Sequence, residues 1–230
     1  MKKKLVVLTG AGISAESGIK TFRDSDGLWE GQNVMDVATP EGWHKNPAVV
    51  LDFYNQRRKQ LKEVQPNLGH QILAELENEF DVFIITQNVD DLHERAGSSN
   101  VLHLHGELLK VRSSKNPSYI LDWQDDLNFG DLDEQKNQLR PHIVWFGEEV
   151  PALDEAIALT QKADYFAVIG TSLQVYPAAG LIDFIARETP IFYIDPKPIK
   201  ISNLRNQLDV IPKVASEGMK ILKKKLISFI

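Results

Sequence analysis

The chain has 230 residues, 43% of them hydrophobic, enough for a real core in one or two domains. A net charge of −6 argues against a general nucleic-acid partner, and the absence of cysteine removes disulfides, thiolate nucleophiles and cysteine-bound zinc or iron–sulfur sites. No stretch approaches the roughly 18 apolar residues of a membrane span, and the first apolar run is too short for a signal-peptide core, so no membrane partner and a cytoplasmic location are expected.

Leu5-Val6-Val7-Leu8 reads as a buried parallel strand, and Gly10-Ala11-Gly12 at its end would let the backbone approach a pyrophosphate. Gly10, Gly12 and Ala15 satisfy a loose dinucleotide fingerprint, and a helix start there would add free N–H groups. Gly18 cuts that helix short. The polar stretch from Lys20 to Gln32 then carries Phe22, Arg23 and Trp29, costly residues for a plain connector, so a loop folded over a bound dinucleotide is expected.

Two helices follow, over 47–64, where Asn46-Pro47 supplies a cap and a first-turn proline, and over 67–79. The run 82–86 reads as a buried strand ending in Gln87-Asn88-Val89-Asp90-Asp91. Alternation over 101–106 predicts a half-buried strand, with another over 108–113. Residues 114–140 are polar and aperiodic, the place for a small module or insertion, and strand character returns at 143–147. The remainder alternates: helix 152–162, strand 165–169, helix 177–188, strand 191–194 and an amphipathic helix over 215–230. Such alternation means an α/β fold with a doubly wound parallel sheet.

In open parallel sheets, ligands lie beyond the carboxyl ends of the strands. Those ends carry Gly10-Ala11-Gly12, Gln87-Asn88-Val89-Asp90, His105-Gly106, Gly170-Thr171-Ser172 and Asp195. Singly, Asn and Asp after a strand are turn or cap residues. Their coincidence, with one histidine placed as a base, points to a site.

The stretch from Gly10 to Gly18 with Thr21-Phe22-Arg23, then Gln87 to Asp90, His105-Gly106-Glu107, Val144-Trp145-Phe146-Gly147-Glu148 and Gly170-Thr171-Ser172 closely resemble the sirtuin family, in the family's order. The resemblance implies a Rossmann-like core with a small second domain built from two insertions, here roughly 19–65 and 107–140. It implies that NAD is consumed to remove acyl groups from protein lysines, with nicotinamide, free lysine and O-acyl-ADP-ribose as products. Mono-ADP-ribosyl transfer, NAD hydrolysis and a non-catalytic NAD-binding module stay as alternatives.

By the same resemblance, His105 is the general base on a ribose hydroxyl, a task suited to imidazole at neutral pH. Asn88 would order the ribose and a water, Gln87 would bond the ribose, and Asp90 with the backbone near Ile13 and Val89 would hold the carboxamide. Gly10, Ala11, Gly12, Ile13, Ser14, Glu16 and Trp29 would line the cofactor, Phe22 would shield the reactive ribose face and Arg23 would lie near the phosphates. Gly170, Thr171 and Ser172 would contact phosphate or the adenine ribose. Asp195 and Ala215 would face the adenosine. Val144, Phe146, Gly147, Glu148 and the segment around Val175 would pair an extended acyl-lysine peptide. His103 is read as structural.

Tyr54 and Arg57, three apart on the predicted helix, share a face. They resemble the Tyr-x-x-Arg pair of the class III branch, which receives the carboxylate of succinyl- or malonyl-lysine, and acidic acyl chains are expected to be preferred over acetyl. Sirtuins usually carry four zinc-binding cysteines in the second insertion; here Ser113 takes the first ligand position, so no metal is expected. Leu109, Val111, Tyr119, Ile120, Leu121, Trp123, Leu127 and Phe129 are then expected to hold the module by burial. A monomer is expected.

Overall fold

The computed structural model describes residues 2–20, 32–201 and 204–229 with their side chains and 28–29 by backbone alone. Strand β1 (Lys4–Thr9) is followed by two 3₁₀ turns, Ala11–Ile13 and Ala15–Ser17, closed by Gly18 at φ +99°. The helix start expected after Gly12 is therefore absent. The hairpin of β2 (Leu28–Trp29) and β3 (Gln32–Asn33) leads into helices α1 (Val34–Val37), α2 (Pro40–Lys45) and α3 (Pro47–Glu63). Each of the three starts at a side chain that accepts a backbone N–H, namely Asn33, Thr39 and Asn46, and α2 and α3 open on proline.

Helix α4 (Leu68–Leu76) opens with a reciprocal capping box between Asn67 and His70. Next come β4 (Asp81–Thr86), α5 (Leu92–Arg95) and β5 (Val101–His103), then the antiparallel strands β6 (Gly106–Ser113), β7 (Ile120–Asp122) and β8 (Leu139–Ile143). The last third holds α6 (Leu153–Thr160), β9 (Tyr165–Ile169), the 3₁₀ helix Ala178–Phe184, β10 (Ile191–Ile194), β11 (Leu208–Ile211) and α7 (Ala215–Ile227).

Among the described residues, the large sheet has six parallel strands in the order β11-β10-β9-β1-β4-β5. From β1 the chain winds outward through β4 and β5, and from β9 it winds the other way through β10 and β11. The switch point therefore lies between β1 and β9, and in open sheets of this kind ligands bind beyond the carboxyl ends of the strands at that point. Both faces of β1 are covered, so Leu5, Val6, Val7 and Leu8 are all 0% exposed. Leu5 and Val7 pack with Leu73 of α4 and Met219 and Leu222 of α7, whereas Val6 and Leu8 pack with Ala156 of α6 and Leu181. No described helix is long and apolar enough to cross a membrane.

The three-stranded sheet β7-β6-β8 forms the small module, with Leu51 of α3, Val111, Leu127 and Leu139 at its core. Several expectations fail here. Ile120, Leu121 and Phe129 are 42%, 36% and 75% exposed, because β7 is an edge strand and Phe129 sits in a surface turn beside Gly130. The strand expected at 143–147 ends at Ile143, and β8 runs back to Leu139 through Pro141, which an edge strand tolerates. Residues 144–147 form a loop instead, with Val144 N–H on the His105 carbonyl and Phe146 N–H on that of Ala38. The helix expected over 177–188 is the short 3₁₀ segment.

Candidate active site

At the switch point two loops interlock backbone to backbone. Gly10 N–H bonds Ile169 O at 3.0 Å, and Gly12 N–H bonds Gly170 O at 2.8 Å. A Cβ on Gly12 would come within 2.6 Å of Gly170 Cα, and one on Gly170, whose φ is +63°, within 2.3 Å of Ile13 N. Only glycine permits this approach. Thr171, next in line, accepts from Gln87 Nε2 at 3.1 Å and so joins the end of β9 to the end of β4.

Beneath the loop lies a buried polar floor. Ser14, 0% exposed, is its hub: its hydroxyl donates to Asp90 Oδ2 at 3.0 Å and accepts from Asn88 Nδ2 at 3.1 Å. His70 Nε2 stands 3.4 Å from the same oxygen. Because His70 Nδ1 accepts the Asn67 N–H at 3.3 Å, the ring proton sits on Nε2 and points at Ser14. Burial holds His70 neutral, with its pKa lowered to about 4. Alongside it, His93 Nε2 lies 3.1 Å from Thr9 Oγ1, which bonds Thr86 Oγ1 at 2.8 Å, while the Thr86 oxygen accepts the Asn88 N–H. Burial likewise drives the His93 pKa well down and pushes that of Asp90 up, against the opposing bonds from Leu92 N–H and Ser14. Asn67, His70, His93, Thr9 and Thr86 were not anticipated as site residues; the capping spacing of Asn67 and His70 was the one trace of them in the sequence.

His105 lies just past β5, with Nδ1 2.9 Å from Gln87 O. A carbonyl only accepts, so Nδ1 carries the proton and Nε2 keeps its lone pair, the form a general base needs. Burial lowers its pKa, and the Gln87 bond works the other way.

Beside His105, whose carbonyl accepts the Val144 N–H, stands a wall made of the 144–148 loop and α3, with Trp145 and Tyr54 in one cluster. Tyr54, 0% exposed, accepts from Trp145 Nε1 at 3.0 Å, and burial raises its phenol pKa well above the ordinary value. Arg57, 8% exposed, lies over the Phe53 ring and is close enough to Tyr54 to oppose that rise. The Arg140 guanidinium stacks 3.3 Å from the Trp145 ring centroid. Glu148 binds Arg140 Nη1 at 2.7 Å, Arg112 Nη2 at 3.0 Å and the Trp145 N–H at 2.8 Å. Burial works to raise the Glu148 pKa, but these bonds bring it below the usual range. Gly147 turns this loop at φ +89° in open space, and Phe146 is 42% exposed.

The structure thus brings together Gly10, Gly12, Ile13, Ser14, Gln87, Asn88, Asp90, His105, Gly170 and Thr171. Other expected residues sit differently. The Glu16 carboxylate is taken by Ser216 N–H at 2.9 Å and Ser216 Oγ at 2.6 Å, tying the loop to the start of α7 beside Ala215. The Glu148 side chain serves the arginines, and its N–H closes a turn on Trp145 O. Asp195 is buried and accepts from Lys197 N–H, while Val175 accepts from Ala179 N–H. Phe22 and Arg23, and the side chain of Trp29, lie outside the described residues.

Among the described residues, no group of three or more His, Asp or Glu stands together as a metal site. At the end of β6 the Ser113 hydroxyl instead accepts Lys115 and Asn116 N–H groups, each at 3.1 Å. It also bonds Asp133, whose carboxylate gathers Gln135 and Asn137 N–H groups and is held below its ordinary pKa by that Ser113 bond first.

The Sir2 family model matches residues 10–177. The NAD-dependent protein deacylase of Helicobacter pylori is 61% identical over 225 residues, 98% of each chain, and that of Bacteroides thetaiotaomicron 56% over 231 residues, again 98% of each. A crystal structure of a Sir2 homologue in complex with NAD superposes with a TM-score of 0.87 at 40% identity, covering 99% of this chain and 90% of that one. A mutant Sir2 homologue with ADP-ribose gives 0.88 at 40%, covering 99% and 94%.

Proposed function

The chain belongs to the Sir2 family, and we propose that it is an NAD-dependent protein-lysine deacylase that favours acidic acyl chains such as succinyl and malonyl over acetyl. The observation that carries the preference is the wall built by Tyr54 and Arg57 on one face of α3. The phenol accepts from Trp145, so its own O–H acts as a donor, and its raised pKa keeps that proton in place. A guanidinium beside it grips a carboxylate in two bonds where a neutral acetyl methyl gains none.

The polar donors at the strand ends fit NAD: Gln87, Asn88 and Thr171 are neutral and suit ribose hydroxyls, and the glycine loops admit a pyrophosphate close to backbone N–H groups. NAD supplies a ribose carbon made electrophilic by departure of nicotinamide. Asp90, held by Ser14 and Leu92, would receive the carboxamide. His105 Nε2 would take the proton of a ribose hydroxyl, and Asn88, steadied by Ser14, would order the ribose and a water. Acyl transfer to ADP-ribose follows, one water entering as the acyl–nitrogen bond breaks and free lysine leaves, on protein substrates paired beside the 144–148 loop, by a cytoplasmic monomer without bound zinc.

Incubation with NAD and a succinyl-lysine peptide should give O-succinyl-ADP-ribose by mass spectrometry; free ADP-ribose without lysine release would overturn the reading. Arg57→Met should lower desuccinylation relative to deacetylation by about tenfold or more, the scale of one lost charge-assisted pair. An unchanged ratio removes the acidic preference. One zinc per chain by elemental analysis would contradict the metal-free module.

A further inference from the structure

Two histidines two residues apart face two consecutive carbonyls. His105 Nδ1 lies 2.9 Å from Gln87 O, and His103 Nδ1 lies 3.1 Å from Asn88 O. They differ at the other nitrogen. His103 Nε2 is 2.8 Å from Glu94 Oε1, on α5, and 4.0 Å from Glu107 Oε1, on β6. A carbonyl and a carboxylate are both acceptors only, so a ring that bonds both must donate at both nitrogens. Only the imidazolium does so.

We propose that His103 is a cationic positioning residue that ties the Asn88 carbonyl to Glu94 and so fixes the loop bearing Gln87 to Asp90, and that loss of its proton at alkaline pH releases this loop. Its side chain is 9% exposed and that of Glu94 40%, so solvent competes less for the bond to the Asn88 carbonyl than for the one to Glu94. Burial alone would lower its pKa; the Glu94 bond and charge, then Glu107 and the Asn88 carbonyl, overcome this and raise it. Glu107 is itself paired with Lys110 on β6. From the loop side, Asp90 and His93 both feel the His103 charge, which favours the ionised form of the first and the neutral form of the second. The two histidines of one strand end thus hold opposite charge states: His103 grips the loop, and His105 stays neutral as the base.

The proposal rests on reading the Gln87 to Asp90 loop as the nicotinamide-ribose site, and two measurements separate the two ideas. In the full chain labelled with ¹⁵N-histidine, long-range ¹H–¹⁵N spectra at pH 7 should show both His103 nitrogens protonated and His105 with a proton on Nδ1 alone. A neutral His103 at pH 7 overturns the proposal whatever the activity. In Glu94→Gln, the alkaline limb of kcat/KM for NAD should move to lower pH by about one unit, the scale of a lost adjacent carboxylate, while the acid limb set by His105 stays. An alkaline limb that superimposes on wild type also overturns it. A wild type that binds NAD but releases no lysine would sink the functional reading and leave the spectra to decide His103.

Discussion

The floor and the wall of the site bury their polar groups by opposite strategies. On the floor, His70, His93, Ser14, Thr9, Thr86 and Asn88 are neutral, and burial raises the pKa of the one acid, Asp90. On the wall, Glu148, Arg112 and Arg140 remain charged and satisfy one another. A neutral network costs little to dehydrate and fails when a proton is forced onto it. A buried ionic cluster costs much to dehydrate and fails when one member is removed. Under the proposed function, chemistry that creates charge on the ribose would run over the neutral floor, and an anionic acyl end would meet Tyr54 and Arg57 beside the charged wall.

The sharpest way to break this contrast is Glu148→Ala, which strands two guanidiniums and should cost about 3–5 kcal/mol in urea unfolding. A loss under about 1 kcal/mol would mean that the wall is not an ionic clamp. Acid should act on the floor instead. A histidine whose folded pKa is depressed binds fewer protons folded than unfolded, so stability rises with pH between the two values. For His70 the window runs from about 4 up to about 6.5, worth roughly 3 kcal/mol across it. Urea midpoints across that window should fall as pH falls, and His70→Asn should reduce the slope, leaving the share of His93 and His142, which burial also depresses. Glu148 is also depressed, and its contribution starts to be lost as pH falls through the ordinary value of 4.5, so it adds to the fall only at the acid end of this window.

A smaller effect is expected for Tyr54→Phe. Trp145 Nε1 loses its buried acceptor, at about 1–3 kcal/mol, and desuccinylation should fall more than deacetylation in paired assays. The smallest comes from the exposed pair Lys59–Asp126, whose side chains are 64% and 43% exposed. Lys59→Ala should change stability by less than about 1 kcal/mol, and less still in high salt. A larger loss would blur the line between buried and surface charge on which the contrast depends.

The sheet was legible because central parallel strands are continuous apolar runs, as in β1, β4, β9 and β10. Strand β11 was missed: Leu208-Asp209-Val210-Ile211 is an edge strand with only Ile211 buried, so its pattern is diluted. The strand end at 143 was misplaced because Val144, Trp145 and Phe146 are as apolar as a strand, yet Trp145 is buried by α3 and Arg140 from outside any ladder. The interlocked glycine loops and the place of His105 beside Gln87 were visible from their positions at strand ends. His70 and His93 were not, since each lies in a helix with ordinary patterning and becomes part of the floor only when α4 and α5 pack under β1. Glu16 was named as a cofactor residue, but its tie to Ser216 was hidden, since that partner is 200 residues away.

That last tie bears on how the protein is made. Strand β1 pairs with residues 81–86 on one side and 165–169 on the other, and its loop is fastened to α7 through Glu16 and Ser216. At roughly 5–20 residues per second, the ribosome delivers Ser216 some ten to forty seconds after Glu16. Until residues 165–170 arrive, for most of that interval, one edge of β1 stands unpaired and the glycine loop lacks Gly170, and the anchor on Ser216 comes last. The nucleotide site is thus among the last parts of the molecule to exist, and NAD meets a finished protein.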